Sequence, residues 1–151
     1  MAALVVDASV GLKWALDEPD SGLAEALVRI EPELLLVPDF WLNEATNVLW
    51  LKARRKLMTP VEAREGLALL RALLGPIPTA HMRLHDVALE IGVTIDHPTY
   101  DTLYLAFAIA VGASAVVPAD ASFLRSIRIH PDAALSAMGL SLQSWARTRG
   151  P

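Results

Sequence analysis

Three short runs, Ala3–Val6, Leu34–Val37 and Ala115–Val117, are apolar throughout, and segments with helical spacing separate them. A strand with one wet face alternates polar and apolar side chains, so an unbroken apolar run predicts burial on both faces. Such strands need helices above and below, and parallel strands need crossovers long enough to supply them. The expected fold is therefore α/β: a three-layer α/β/α sandwich with a central, mainly parallel sheet, formed by residues 1–151 as one domain.

Local signals predict where the helices begin and end. The first runs from Asp7 to about Leu16, a loop covers Asp17–Ser21, and Ser21 caps a second helix to Ile30. Asp39 is expected to cap a long helix over 40–55. Thr59-Pro60-Val61-Glu62 is a capping box with proline at the first helical position, opening a helix to Leu74 before Gly75-Pro76. A further helix is expected over His81–Ile91 with Gly92 as its stop, then one capped by Thr99 that runs through Val111 and is stopped by Gly112. A short helix over Ala121–Ser126, a helical turn within Ala133–Met138 and a last edge strand at Leu140–Leu142 complete the expected order.

Composition removes whole classes of function. The chain is 54% hydrophobic and 20% charged, with a mean hydropathy of +0.40, which excludes disorder and leaves apolar surface for a second subunit or a partner to cover. The uncharged stretch Thr102–Ala119 contains Gly112, Ser114 and Pro118, is bracketed by Asp101 and Asp120, and lacks basic anchors. It predicts a helix, a glycine stop and a buried strand, with no membrane span. No basic segment precedes Asp7, as a signal peptide would require, and cysteine is absent. Disulfides, thiolate nucleophiles and cysteine-held zinc are thus excluded, and a cytoplasmic location is expected. The net charge of −4 argues against a binder that grips nucleic acid with its whole surface. It leaves open a nuclease with a metal-neutralised acidic pocket and local basic patches.

Lone carboxylates interrupt this apolar background at Asp7, Glu44, Asp101 and Asp120. Each has an ordinary explanation. Asp7 and Asp120 follow strand-like runs and can cap the next helix, and Asp101 suits the positive end of a helix dipole. Glu44 shares a helical face with Trp41, Ala45, Val48 and Leu51, where Asn47 one turn on can hydrogen-bond it. Together they mean more. In parallel α/β sheets, residues just past the carboxyl ends of the strands line the functional crevice. Acids gathered there can bind Mg²⁺ or Mn²⁺, hard ions that polarise a phosphate and lower the pKa of a bound water.

The runs Val5-Val6-Asp7-Ala8-Ser9-Val10 with Lys13-Trp14, Pro38-Asp39 ahead of Asn43-Glu44-Ala45-Thr46-Asn47, His97-Pro98-Thr99-Tyr100-Asp101-Thr102-Leu103-Tyr104-Leu105-Ala106, and Ala119-Asp120 resemble the PIN domain. More narrowly, they are similar to VapC-type toxins of bacterial and archaeal toxin–antitoxin pairs. The resemblance extends to about Arg128. It implies a Mg²⁺-dependent endoribonuclease in which Asp7, Glu44, Asp101 and Asp120 form the catalytic metal-binding quartet, Asp7 and Asp101 being the principal ligands. It further implies in-line hydrolysis leaving a 5′-phosphate and a 3′-hydroxyl, a homodimer, and a cognate antitoxin whose C-terminal segment covers the groove. Relatives commonly carry Thr or Ser two residues before the last acid; here Pro118 stands there, with neither hydroxyl nor amide hydrogen. The alternative function is accordingly a catalytically weak PIN-fold module serving as an antitoxin-bound corepressor or scaffold.

Lys52, Arg54, Arg55 and Lys56 suit a helix C-terminus and are candidate RNA-phosphate contacts, as are Ser9, Arg125 and Arg128. His81 and His85 are one helical turn apart, but no HExxH glutamate or third ligand accompanies them, so surface polarity is the expected role. Asp96 reads as a turn residue. The stripes Leu23, Leu27, Ile30 and Leu67, Leu70, Leu74 read as core, with a dimer face or antitoxin groove as the alternative. Phosphate-binding GxxxxGK loops and GxSxG elbows are absent, and Ser9 occupies the place where an aspartyl-phosphate enzyme needs a second acid.

Overall fold

A computed structural model describes residues 3–30, 35–74 and 83–149. Strands β1 (Leu4–Val6), β2 (Leu35–Leu36) and β3 (Ala115–Val117) form a parallel sheet in the order β2-β1-β3. Leu4 lies opposite both Leu35 and Ala115, and Val6 opposite Val117. Every residue of β1 and β3 is buried although successive side chains point to opposite faces, so both faces of the sheet are covered along these two strands, whereas Leu35 and Leu36 of the edge strand β2 are half-buried. The chain is an α/β/α sandwich, as the unbroken apolar runs predict.

The helices are α1 (Ala8–Gly11), continued by a 3₁₀ turn at Leu12–Trp14, α2 (Ser21–Ile30), α3 (Trp41–Arg54), α4 (Pro60–Leu73), α5 (Leu84–Ile95), α6 (Thr99–Val111), α7 (Ala121–Arg128), α8 (Ala133–Ser136) and α9 (Leu142–Arg149). The capping box opens α4 as expected: Glu62 N–H donates to Thr59 Oγ1 at 3.1 Å, and Thr59 N–H to Glu62 Oε2 at 2.6 Å. Gly112 ends α6 in the left-handed region at φ 68°, which a residue without Cβ enters at no steric cost. Among the described residues no helix is long and apolar enough to cross a membrane. The uncharged stretch becomes the body of α6, this glycine and β3.

Several boundaries differ from expectation. Gly92 does not stop α5, which continues to Ile95 and ends on Asp96 in the left-handed region at φ 51°. The glycine serves packing instead, since a Cβ there would lie 2.9 Å from the His97 carbonyl oxygen. Asp39 does not cap α3; Phe40 holds that position with no side-chain bond, and Trp41 N–H goes to the Pro38 carbonyl at 3.0 Å. Thr99 lies inside the first turn of α6, because Pro98 is extended and its carbonyl takes the amides of Asp101 and Thr102. The edge strand at Leu140–Leu142 is reduced to one bridge between Gly139 and Val116. Ser141 Oγ accepts from Ser144 N–H at 3.0 Å and turns the following residues into α9. Leu34, Gly75-Pro76 and His81 lie outside the described residues.

The core gathers Trp14, Trp41, Trp145, Phe107 and Phe123 with the strand residues. α5 packs along α6, where the fully buried Thr102 hydroxyl donates to the Ala88 carbonyl at 2.7 Å. That bond fixes α6 one residue after Asp101.

Candidate metal centre

Parallel pairing puts the carboxyl ends of β1 and β3 at the same sheet edge. Asp7 follows Val6 there, and Asp120 follows Val117 by three residues. Asp7 caps α1 through a bond from Val10 N–H to Oδ1 at 3.1 Å, and the Ser9 hydroxyl donates to the same oxygen. Ser9 Oγ also accepts from Ala119 N–H at 3.1 Å, tying the β3 loop to Asp7. A hydroxyl therefore reaches the loop in which Pro118 brings none.

Glu44 enters from the first turn of α3. Its partner is Tyr104 rather than Asn47: the phenol donates to Oε2 at 2.7 Å, while Asn47 is exposed. Tyr104 is 1% exposed and its ring meets Phe40 edge-on, so this bond reaches the acid out of the core. Asp101, in the first turn of α6, accepts at Oδ2 from His97 Nε2 at 2.8 Å. Asp120 caps α7, with Ser122 N–H donating to Oδ1 at 2.8 Å.

One pattern unites the four. Each carboxylate has one oxygen fixed by these bonds, whereas Asp7 Oδ2, Glu44 Oε1, Asp101 Oδ1 and Asp120 Oδ2 have no hydrogen-bond partner among the described residues. Nor does any described Lys or Arg pair with them. Asp7 is 6% exposed, and its burial pushes its pKa up to about 7 against the lowering bonds from Ser9 and Val10, with Asp101 and Glu44 adding like charge. Glu44 is also raised, first by burial, with Asp101 adding to it and the Tyr104 bond opposing it. The Tyr104 hydroxyl is held protonated by burial and then by Glu44. Among the described residues this edge concentrates negative charge with no Lys or Arg paired to it, and a divalent cation is the group that would balance it.

Among the described residues, the three-residue group that brings its ligand atoms together contains Asp101 and Asp120 but neither Asp7 nor Glu44. Ligand atoms of His97, Asp101 and Asp120 lie within 4.8 Å of one another. Asp7 and Glu44 face Asp101 closely enough to feel its charge. His97 is the residue that sequence reasoning missed, having been quoted there only as the first residue of the run to Ala106. Its signal was the four-residue spacing to Asp101, which a helix entry can close. The basic candidates have other engagements: Lys52 Nζ pairs with Glu18 at 3.2 Å, and the Arg54 guanidinium lies 5.4 Å from the centre of the Trp50 ring. Arg55 and Arg125 are exposed, and His85 is exposed on α5.

The whole chain has structural counterparts. It superposes on PAE2754 from Pyrobaculum aerophilum with a TM-score of 0.71 at 18% identity, covering 97% of this chain and 88% of that one. It also superposes on VapC20 of Mycobacterium tuberculosis, a sarcin–ricin loop cleaving toxin, with a TM-score of 0.65 at 19% identity over 82% and 95% of the two chains. The chain has the PIN-domain fold. The sequence by itself matches no family model and no curated protein. In this PIN fold the acidic edge is built by β1, β3 and the first turns of α1, α3, α6 and α7.

Proposed function

We propose that this protein is a metal-dependent endoribonuclease, the toxin of a VapC-type toxin–antitoxin pair, hydrolysing RNA phosphodiesters with Mg²⁺ or Mn²⁺. The observation that carries the proposal is the set of four anchored carboxylates, each with a free oxygen, at one edge of a PIN fold. The donors fit the ion: carboxylate oxygens suit hard divalent cations, and no described Lys or Arg competes for them. Asp7, Glu44, Asp101 and Asp120 would hold it. When bound, such an ion polarises the scissile phosphate and makes water a better nucleophile at neutral pH.

The chain's own residues supply position and charge. Ser9 and Val10 fix Asp7, and Tyr104 fixes Glu44, so the acids meet the cation with little reorganisation. Before loading, Asp7 shares a proton with solvent near neutrality and releases it as positive charge arrives. Arg125, one turn beyond Asp120 on α7, together with Lys52, Arg54 and Arg55, would meet phosphates along the RNA, with Ser9 at the centre of the site. A cytoplasmic homodimer held inactive by a cognate antitoxin completes the proposal. Apolar side chains left open on the helices, such as Leu89 and Val93 on α5, support a protein partner.

Cleavage of an RNA panel with and without chelator tests this, with Asp7→Asn and Asp101→Asn as controls. The expected result is cutting that needs Mg²⁺ or Mn²⁺ and is lost in both variants. Inactive wild-type protein that still binds its antitoxin would favour the corepressor or scaffold reading that Pro118 raises.

A further inference from the structure

His97 is not one of the four acids, yet it touches both helices that carry the outer two. Its side chain is 7% exposed. Nε2 lies 2.8 Å from Asp101 Oδ2, Nδ1 lies 3.1 Å from Ser126 Oγ, and the ring stacks on Phe123 with centroids 5.0 Å apart and planes 22° apart. Ser126 and Phe123 belong to α7, the helix that Asp120 caps, while Asp101 belongs to α6. A carboxylate only accepts, so Nε2 carries the hydrogen and donates it to Asp101.

We propose that His97 is a positioning residue that locks the α6 entry to α7 and so sets the spacing of Asp101 and Asp120. This rests on the metal-centre reading above. Two carboxylates whose oxygens approach within 4.8 Å repel each other until a cation arrives. A donor fixed to α7 opposes that repulsion by holding Asp101 Oδ2. The imidazole does not serve as a ligand itself, because metal binding needs a nitrogen lone pair, whereas Nε2–H is committed to Asp101 and Nδ1 faces Ser126. The backbone is fixed as well, since His97 N–H donates to the Gly92 carbonyl at 3.0 Å.

Mn²⁺ binding to the folded protein, followed by electron paramagnetic resonance of the free ion, reads this without activity. His97→Leu should weaken Mn²⁺ binding roughly 10- to 100-fold, the range for losing a group that orients a metal ligand. His97→Gln, whose amide can donate from near the Nε2 position, should recover binding to within about threefold, and Ser126→Ala should lose about threefold. Wild-type binding that Asp7→Asn abolishes and His97→Leu leaves unchanged would overturn the positioning role alone. Recovery failing in a folded His97→Gln would overturn it too, since the imidazole would then be a ligand. If His97→Leu does not fold, Ser126→Ala decides: binding equal to wild type refutes the lock. Wild-type protein that binds no Mn²⁺ overturns the metal-centre reading itself.

Discussion

Asp7→Asn should stabilise the metal-free protein, and the gain should grow with pH. Asn keeps an oxygen for Val10 N–H and the Ser9 hydroxyl, so the substitution removes charge and little else. Burial raises the Asp7 pKa from 3.8 to about 7. Between those values the folded state holds a proton that the unfolded state has lost, so stability falls as pH rises, in contrast to a salt-bridged acid. At about 1.36 kcal/mol per unit, the full loss is about 4 kcal/mol, developed from near pH 4 and complete above about pH 8. That is a large share of the roughly 5–15 kcal/mol that holds a domain together. Glu44 titrates with the same sign in both proteins, so the difference between them reports Asp7 together with its repulsion of Glu44 and Asp101. Urea unfolding of both proteins in chelator from pH 4.5 to 8.5 measures it. The variant should pull ahead by several kcal/mol, and saturating Mn²⁺ should reverse the order above pH 7 by binding only the wild type. Parallel stability curves, or a wild type more stable in chelator at pH 8, would refute the claim that an uncompensated charge sits at this edge.

Tyr104→Phe removes the donor to Glu44 and should cost about 1–3 kcal/mol in chemical denaturation, with slower metal-dependent cleavage; equal stability would mean the bond adds nothing. Gly92→Ala places a Cβ 2.9 Å from the His97 carbonyl oxygen and should destabilise by about 1–3 kcal/mol while weakening Mn²⁺ binding, both read on the purified variant. Charge reversal at Lys52, Arg54 and Arg55, and separately at Arg125, should weaken RNA binding and flatten its dependence on salt in a filter-binding series. Unchanged binding in either set removes that set from the RNA path.

The strands were legible because Leu4–Val6 and Ala115–Val117 are short and apolar throughout and each is followed within three residues by an acid, a pattern that suits a strand covered on both faces. The Thr59–Glu62 box and the Gly112 stop were legible because their bonds and dihedrals involve only near neighbours in the chain. Gly92 was misread for the opposite reason. A glycine needed for a helix stop and one needed for close approach look alike until the His97 carbonyl is placed against it. Asp39 and Thr99 had the right chemistry for caps, but Pro38 and Pro98 turned the backbone so that carbonyls took the amides. At the site, the positions of Asp7 and Asp120 followed from the strands. The partners that fix the acids did not: Tyr104 to Glu44 spans sixty residues, and His97 reaches Ser126 on another helix. Such bonds depend on packing and leave no local pattern.

The anomalous scattering of Mn²⁺ in crystals of the wild-type protein bears most directly on the central claim. A peak coordinated by Asp7 and Asp101 oxygens, with Glu44 and Asp120 bound directly or through water, is the predicted result. A peak elsewhere on the surface, or an acidic edge that stays free of manganese at saturating concentration, would contradict it.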